Sequence, residues 1–412
     1  MKTRLLLIIV PLAALAVAVI GGYTLVWRFF VFLLAVLLLS WLWPLLTARR
    51  LDSRVTTASD HSRAGEYFEE AFTVWNRGRI PVPLVELEED TDIPGYENTS
   101  AFSLFSRSAR TWRTRVYCRR RGRYHIGLLT ARVSDPLGFF PRQRRLGESR
   151  SIIVYPRTVD LPYFHALPLQ EPGSSPRHWL SSELGPDAAR VRQYSSGDSL
   201  RHIHWRSTAH AGELMVREFD PDRSNYAFKN IWIILDMYRG SQRGEGDEST
   251  GEYCVTVAAS LVKKYIDSGK RVGLIAGAER PYLFLPEAGD RHLQHILQAL
   301  ALIRADGDMP VEALLAAEMP RFSTSSAVIV ITTSDAAGIT GPLRRAVGRG
   351  ATAVVVMLDA LSFGGEKGAV DAARGLVSSG IHAYTVRQGQ DIARALDNRL
   401  IASHTRFIGD RV

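Results

Sequence analysis

The chain has 412 residues, enough for two or three folded domains. Its two cysteines, Cys118 and Cys254, lie far apart and form no CxxC pattern, which argues against a disulfide framework and favours a reducing compartment. The formal net charge of +9 and the pI near 9.6 predict anionic neighbours, either lipid headgroups or nucleic acid.

Two apolar runs, residues 5–20 and 24–46, begin the chain. The second contains Arg28 as its only charge, near the short turn between the runs, where its side chain can snorkel to the interface. A signal peptide is the alternative for the first run, but a small-residue cleavage site before a polar mature start is missing. Since about 20 apolar residues span a bilayer, we predict a transmembrane helical hairpin over residues 1–48.

Basic residues flank this hairpin at both of its ends. Lys2 and Arg4 precede it, and Arg49, Arg50 and Arg54 follow it. The positive-inside rule places such residues on the cytoplasmic side of the membrane. We therefore expect a multi-pass protein of the cell membrane, with both termini and the soluble domains in the cytoplasm.

The next region, residues 49–160, consists of short runs with period-two alternation, such as 68–74, 82–87 and 152–155. Alternating runs bounded by Gly, Pro, Asn and Asp are typical of strands, and strands at this spacing favour a β-sandwich. We predict an all-β sandwich here. A linker rich in Pro, Gly and Ser follows at residues 161–183.

Thirteen arginines against two acids occupy the stretch from Arg107 to Arg150. Such a surface can bind anionic lipid or nucleic acid. The aromatic residues of this stretch fall in predicted strands, where core packing is a better explanation than base stacking. Because the membrane tether is only a few residues away, we expect a lipid bilayer as the partner. Nucleic acid is the alternative.

The most distinctive stretch is residues 184–222, in which charged residues surround short apolar anchors. Gly197 followed by Asp198 predicts a turn. An Asp and an Arg beside a buried Trp205 would form a rigid charged cluster, since arginine suits bidentate carboxylate pairing. The candidate structural and binding residues are Asp187, Arg190, Tyr194, Gly197, Asp198, Trp205, Arg206, Arg217 and Glu218.

This ordered series resembles the signature of the domain of unknown function 58 family, namely a Gly-Asp turn, Ile-x-Trp-Arg-x-Thr-Ala and Leu-x-Val-Arg-Glu-Phe. Here these are Gly197-Asp198, residues 203–209 and residues 214–219. Similar phrases upstream extend the resemblance over nearly the whole chain from about residue 55. It implies partnership with a MoxR-type AAA+ ATPase, sometimes with a transglutaminase-like membrane protein, in complex assembly or chaperone-like work.

The C-terminal region, residues 223–412, alternates strand-like and helical patterns. Residues 230–236 form an apolar run ending in Asp236, as a buried parallel strand would. Further strand-like runs lie at 271–276, 327–332, 353–358 and 382–386, and helical patterns at 252–268, 291–303, 343–349 and 370–378. This alternation predicts an α/β domain with a doubly wound, mostly parallel sheet.

The order of these elements resembles a von Willebrand factor type A domain. That resemblance implies a divalent cation held by Asp-x-Ser-x-Ser, a later Thr and a later Asp, and such hard oxygen ligands suit Mg²⁺. Asp236 takes the first position, but Tyr238 and Gly240 replace the serines and no intermediate Thr is evident. Ser241 is displaced by one position, and Asp335 matches the later Asp.

The resulting metal site of Asp236, Ser241 and Asp335 is therefore degenerate. We expect no cofactor, with Mg²⁺ as the alternative. On this interpretation Asp236 and Asp335 cap strand ends and shape a protein-binding edge of the type A-like domain.

A histidine cluster offers a catalytic alternative. His202, His204 and His210 lie near Asp198 and Glu213 in sequence, so a metal-dependent hydrolase using His202, His204 and Asp198 is conceivable. The sequence contains neither a phosphate-binding glycine loop nor a GxSxG nucleophile elbow. We therefore predict no catalytic residue, and a membrane-anchored cytoplasmic scaffold or adaptor rather than an enzyme.

Overall fold

The computed structural model describes residues 10–13, 15–17, 19–20, 24–57, 59–164, 190–195, 203–218, 228–324 and 326–398. The chain divides into two compact units, residues 1–156 and 157–412.

An apolar helix, α1 (Thr24–Ala48), begins the first unit. Within the described residues it is the one helix that is long and apolar enough to cross a bilayer. The presence of an apolar helix near the N-terminus, suited to a membrane anchor or a signal segment, is thus confirmed. The described part of residues 10–20 is also helical, but residues 1–9 and 21–23 lie outside the described residues. The two-helix hairpin stays a prediction.

The rest of the first unit is built of strands. They are β1 (Leu51–Thr57), β2 (His61–Arg63), β3 (Tyr67–Asn76), β4 (Val82–Asp90), β5 (Thr99–Leu104), β6 (Ala109–Tyr117), β7 (Gly122–Ile126), β8 (Leu128–Ser134), β9 (Arg142–Leu146) and β10 (Arg150–Tyr155). They form sheets in the orders β1-β3-β6, β2-β10-β7 and β5-β4-β8-β9. Neighbouring strands are antiparallel except for β2 and β10, which are parallel.

Two of these sheets share one hydrophobic core. Phe72 and Val74 of β3 belong to the same buried cluster as Val85 and Leu87 of β4 and Leu129 of β8. The paired residues on β3 and on β4 are two apart because alternate side chains of a strand point to one face. The mostly β region is therefore confirmed, and its detailed sandwich topology stays a prediction.

The second unit contains a short antiparallel hairpin and a larger α/β region. The hairpin consists of β11 (Arg190–Gln193) and β12 (Met215–Glu218), with helix α2 (Trp205–Ala211) between them in the chain. We call these three elements the signature hairpin.

The α/β region is a six-stranded sheet in the order β15-β14-β13-β16-β17-β18. Its strands are β13 (Asn230–Leu235), β14 (Arg271–Ala276), β15 (Tyr282–Glu287), β16 (Ser326–Thr332), β17 (Thr352–Leu358) and β18 (His382–Val386). Its helices are α3 (Thr250–Asp267), α4 (Asp290–Leu302), α5 (Val311–Glu318), α6 (Ala336–Gly348), α7 (Ala369–Ser378) and α8 (Ile392–Ala395). Only the edge strand β15 runs antiparallel to its neighbour. The predicted α/β region with a parallel sheet is confirmed.

The central strands of this sheet are buried on both faces. Trp232 and Ile234 of β13 pack in one cluster with Val328 and Val330 of β16, and the intervening residues are equally buried. Near the boundary between the units, buried Phe164 packs against Tyr384 with tilted rings whose centroids lie 5.0 Å apart. This contact places residues just after the boundary in the core of the second unit, where a linker was expected. Residues 165–189, the rest of that linker, lie outside the described residues.

Candidate functional site

The order of the strands marks one end of the sheet as the candidate site. From β13 the chain moves to β14 and β15 on one side, and then returns to β16 on the other side of β13. In open α/β sheets ligands bind outside the carboxyl ends of the strands, at the point where the order reverses. That point here is the crevice between the ends of β13 and β16.

Asp236 follows β13 directly and is the centre of this crevice. Its carboxylate is buried, and Oδ2 accepts hydrogen bonds from the hydroxyls of Thr332 at 2.6 Å, Ser334 at 2.9 Å and Ser241 at 3.2 Å. Oδ1 accepts the backbone N–H of Tyr238 at 3.0 Å. A buried carboxylate requires such partners, and these five residues form what we call the Asp236 cluster.

Burial raises the pKa of Asp236 above its usual range. The hydrogen bonds from Thr332, Tyr238, Ser334 and Ser241 act in the opposite direction, since they stabilise the charged form, but they offset the burial only in part. The hydroxyl groups around Asp236 therefore stabilise its ionised form, which burial disfavours.

The loop after β13 is fastened to the end of β16. Gln242 donates from its side-chain amide to the carbonyl of Asp236 at 3.0 Å, and Thr250 at the start of α3 donates its hydroxyl to the Gln242 side chain at 2.8 Å. Thr333 donates its hydroxyl to the carbonyl of Ser241 at 2.8 Å. These bonds hold the loop in one conformation above the sheet.

Asp335 lies next to Ser334 in the chain but faces a different partner. Its half-exposed carboxylate forms an ion pair with Lys367 at 3.0 Å. The hydrogen bond from Lys367 is the main cause that lowers the pKa of Asp335. Of the three residues predicted for a metal site, Asp236 and Ser241 are hydrogen-bonded to each other, whereas Asp335 pairs with Lys367.

Asp359 ends the neighbouring strand β17 and was not predicted. It is buried, accepts the backbone N–H of Ala369 at the start of α7 at 2.8 Å, and pairs with Arg387 at 3.3 Å. Asp236 and Asp359 thus both end strands at this edge and fasten the loops that leave it.

Thr332 and Ser334 were also missed, although they supply the two shortest bonds to Asp236. The signal in the sequence is the period of two, since Thr332 and Ser334 extend from the end of a buried strand toward the same side. Their link to Asp236 depends on β13 and β16 being neighbours in space.

The oxygen atoms of the cluster fit a hard cation in part. Mg²⁺ accepts hydroxyl, carboxylate and water ligands, so Ser241, Thr332 and Ser334 would hold it while Asp236 orients them. Only one carboxylate contributes, because Asp335 is engaged by Lys367. Across the described part of the chain, His, Cys, Asp and Glu form no group of three or more placed to hold a metal.

The signature hairpin brings together several residues predicted to act jointly. In its register Arg190 lies opposite Glu218, and Val191 lies opposite Arg217. Tyr194 donates its backbone N–H to the carbonyl of Leu214 at 2.8 Å, which continues the pairing.

Trp205 and Arg206 open helix α2 and are both exposed. The expectation of a buried tryptophan was wrong, because 68% of the Trp205 surface is accessible. His204 caps the helix, with Nδ1 accepting the backbone N–H of Ser207 at 3.1 Å. Since Trp205 is the first helical residue, it projects from the end of α2 and does not pack beneath it.

Of the predicted histidine cluster, the structure describes only His204, His210 and Glu213. His204 is used as a helix cap, His210 is exposed, and Glu213 accepts a hydrogen bond from Gln193. Other predicted residues lie outside the described residues, namely Asp187, Gly197, Asp198 and His202.

Several arginines of the Arg107–Arg150 stretch have partners inside the first unit. Arg115 pairs with Glu69 at 2.9 Å, and Arg110 lies 4.7 Å above the ring of Phe102. Such contacts fit solvated strand faces as well as a ligand surface.

Known sequences match the part of the chain that contains this site. Residues 190–362 match the family described as "Protein of unknown function DUF58". The match runs from the signature hairpin past the end of β17, so it includes the Asp236 cluster. The chain is also 28% identical over 331 residues to "Uncharacterized protein YeaD" of Bacillus subtilis (strain 168), which covers 76% of this chain and 77% of that protein.

Solved structures show only distant similarity. The pilus adhesin SpaC of Lactobacillus rhamnosus GG is 12% identical, covering 44% of this chain and 30% of that chain with a TM-score of 0.34. Proximal thread matrix protein 1 of the mussel byssus is 12% identical, covering 43% and 47% with a TM-score of 0.31. Similarity at this level does not define a shared fold.

Proposed function

We propose that the protein is a membrane-anchored scaffold or adaptor that binds a protein partner at the carboxyl edge of its six-stranded sheet. The observation that carries the proposal is the Asp236 cluster at the crossover point, which fixes the loops of that edge. Fixed loops lose little conformational entropy on binding, which favours recognition.

The same edge presents exposed apolar side chains. Leu361 follows β17 and exposes 57% of its surface, and Met309 exposes 47% beside Gly307, which pairs with Tyr238 of the cluster. Exposed apolar residues amid charged ones are typical of a protein-binding surface. We call Met309 and Leu361, together with the Lys367–Asp335 pair, the edge surface.

The partner class comes from the family resemblance. A MoxR-type AAA+ ATPase is the proposed partner, in complex assembly or chaperone-like work, and a transglutaminase-like membrane protein is a further one. Exposed Trp205 and Arg206 of the signature hairpin offer a second contact, because Trp and Arg are frequent anchors of protein interfaces.

In this proposal the second unit is a von Willebrand factor type A-like domain. Its sheet has five parallel strands and one antiparallel edge strand, and the Asp at the crossover point accepts hydrogen bonds from two hydroxyl groups. Both features support that assignment. Recognition through the edge surface requires no cofactor. Were Mg²⁺ bound at the Asp236 cluster, it would supply a bridge to an acidic group of the partner.

The anchor in this proposal is helix α1, inserted so that the folded units face the cytoplasm. The basic residues Arg49, Arg50 and Arg54 immediately after the helix support that orientation.

The test is affinity capture of the full-length, tagged protein from its native membrane in the presence of nucleotide. Leu361→Ser and Met309→Ser remove the apolar contacts of the edge surface without touching the core. Val377→Ser is the matched control, because Val377 is 56% exposed in the last turn of α7, which leads away from that edge.

We expect an AAA+ ATPase to be captured with the native protein and the control, and to be lost with either edge variant. Trp205→Ala and Arg206→Ala test the signature hairpin in the same way. Capture that is equal for all variants would reject the edge surface. Failure to capture any ATPase with the native protein would reject the adaptor function.

A further inference from the structure

The end of helix α1 is packed firmly against the strands of the first unit. Ser40, Pro44, Thr47 and Ala48 are buried, whereas most earlier apolar side chains of the helix are exposed. Arg144 of β9 donates to the carbonyl of Ala48 at 2.6 Å. Such a bond satisfies a free carbonyl at the helix end and places a cation near the negative end of the helix dipole. The strands therefore have a fixed orientation relative to the helix.

One loop of the first unit reaches back along this helix. Trp43 donates its indole N–H to the carbonyl of Pro81 at 3.2 Å. Because Trp43 precedes the helix end by five residues, the loop extends about 7 Å beyond that end toward the exposed part of α1. Trp at such a position is typical of the membrane–water interface.

A second loop is fastened to the first by Asn76. This buried side chain donates to the carbonyls of Ile80 at 2.9 Å and Phe105 at 3.0 Å, and it accepts the backbone N–H of Gly78 at 2.9 Å. Asn76 thereby joins residues 77–81 and 105–108 into one surface, which we call the juxtamembrane rim.

The tip of the second loop is held in an unusual conformation. Arg107 has φ +53°, the one positive value outside glycine among the described residues, and its N–H donates to the carbonyl of Gly78 at 3.0 Å. Non-glycine residues enter this region rarely and at some cost. In the same loop, Phe105 exposes 76% of its surface.

Four exposed arginines lie in the rim or directly after α1. Arg49 and Arg50 follow α1, while Arg79 and Arg107 lie in the rim, and the Cβ of Arg50 lies beside Gly78. All four are exposed, and none forms an ion pair with another residue that the structure describes. Arg77, in contrast, pairs with Asp52 at 2.5 Å.

We infer that the juxtamembrane rim docks on an anionic lipid leaflet, with Phe105 inserted among the headgroups and Arg49, Arg50, Arg79 and Arg107 binding lipid phosphates. An aromatic ring flanked by unpaired arginines matches the chemistry of that interface. The inference rests on the proposed membrane insertion of α1, which places the rim at headgroup depth.

The test uses the full-length protein in lipid nanodiscs, with a polarity-sensitive dye on Ser106→Cys. The native cysteines, Cys118 and Cys254, are buried, so they react little. Glu66→Cys is the aqueous control, because it precedes the far end of β3, about 30 Å from Asn76. Leu34→Cys, in the exposed middle of α1, reports on helix insertion.

We expect dye at Ser106 to be several-fold less accessible to aqueous iodide than dye at Glu66, most strongly in nanodiscs that contain phosphatidylglycerol. Equal accessibility at the two positions, with Leu34 shielded, would overturn the rim inference alone. An accessible Leu34 would overturn the membrane anchor and, with it, the rim.

The charge requirement is tested by combining Arg79→Gln with Arg107→Gly. Glycine accepts the conformation of Arg107 without strain, so the change removes charge without distorting the loop. The matched control is Arg113→Gln with Arg123→Gln, which removes two exposed charges elsewhere in the unit. We expect only the rim variant to lose the extra shielding given by phosphatidylglycerol over phosphatidylcholine. Retained shielding in the rim variant would overturn the role of these arginines.

Discussion

Glu70 occupies the middle of β3 and has no exposed surface. Glu89 of β4 is also buried, and the hydroxyl of Tyr96 lies between them, 3.2 Å from Glu89 Oε2 and 3.4 Å from Glu70 Oε2. Burial raises the pKa of Glu70 to about 8, and the charge of Glu89 adds to the effect. Glu70 therefore holds a proton at neutral pH in the folded protein.

The raised pKa of Glu70 predicts that the stability of the first unit decreases as the pH rises. Because its pKa is raised in the folded state, Glu70 holds a proton there between about pH 4.5 and 8 that it loses in the unfolded chain. The free energy of unfolding of the first unit should therefore fall as the pH rises through that range. Hydrogen exchange of the β3 and β4 amides from pH 5 to 8, corrected for intrinsic exchange rates, measures this fall.

Glu70→Gln should remove most of that dependence, since Gln keeps the shape of the protonated acid. Glu69→Gln is the matched control, because the neighbouring Glu69 is half-exposed and pairs with Arg115. A variant at Glu70 that retains the native pH dependence would show that another group binds the proton.

Thr332 illustrates a contact of the site that could not be predicted from the sequence. Asp236 was predicted because it ends an apolar run and takes the first position of the type A metal pattern, whereas Thr332 and Ser334 were not predicted, since they follow in the chain about a hundred residues later. Their contact with Asp236 results from the pairing of β13 with β16, which bypasses β14 and β15. Hydroxyl groups at strand ends carry no local signal for such non-local pairing.

Thr332→Val tests the strength of this contact. Valine keeps the shape of threonine but removes the 2.6 Å hydrogen bond to buried Asp236. We expect the second unit to lose about 1.5–3 kcal/mol of unfolding free energy, the usual cost of losing a hydrogen bond to a charged group. Thr352→Val, at the start of β17, should be nearly neutral in the same denaturation measurement. Equal effects would mean that the bond adds nothing to the fold.

At the level of elements, the buried parallel strands were easier to predict than the edge strand. β13, β16 and β17 are continuous apolar runs, and their bounds agree with the sequence prediction to within one residue. β15 escaped prediction because prolines precede it and lie within it, and Pro is confined to edge strands or bulges. Similarly, only the second half of α6 was predicted, since Gly338, Gly341 and Pro342 weaken its helical pattern.

Gly307 holds together the loops beside the Asp236 cluster. It pairs with Tyr238, and a Cβ at this position would overlap the carbonyl oxygen of Gly277. Gly307→Ala should therefore destabilise the second unit by about 1–3 kcal/mol, because backbone atoms cannot move aside as a side chain can. The variant should also weaken partner capture through Met309, two residues away.

Gly375→Ala provides the opposite outcome within the same unit. It lies in α7 with open space around it, so alanine should stabilise the helix by about 0.5–1 kcal/mol. Thermal unfolding of the two variants in parallel separates them. A stable Gly307→Ala protein would contradict the close loop packing.

On the scale of the whole molecule, the sequence pattern predicted the order of the parts. The shift from apolar to alternating to strand–helix patterns predicted an N-terminal apolar segment, a β region and an α/β region, in that order. The packing of Phe164 on Tyr384 was not predicted, because it joins residues distant in sequence. Tertiary packing of this kind leaves no local pattern.

The number of membrane crossings determines where both termini lie. Two crossings, as the N-terminal hairpin predicts, place residue 2 and the folded units on the cytoplasmic side, with Gly22 outside. A single crossing by α1 would place the two ends of the chain on opposite sides. The basic residues before and after the apolar segment favour two crossings, since positive charges remain in the cytoplasm.

Labelling of intact cells with a membrane-impermeant maleimide distinguishes these arrangements. The native cysteines are buried and give little background. We expect Gly22→Cys to react from outside, whereas Thr3→Cys and the exposed Glu97→Cys should react only after lysis. Reaction of Thr3→Cys from outside, with Glu97→Cys still protected, would mean that α1 crosses alone. Protection of all three would mean that the apolar segment does not form a hairpin through the membrane.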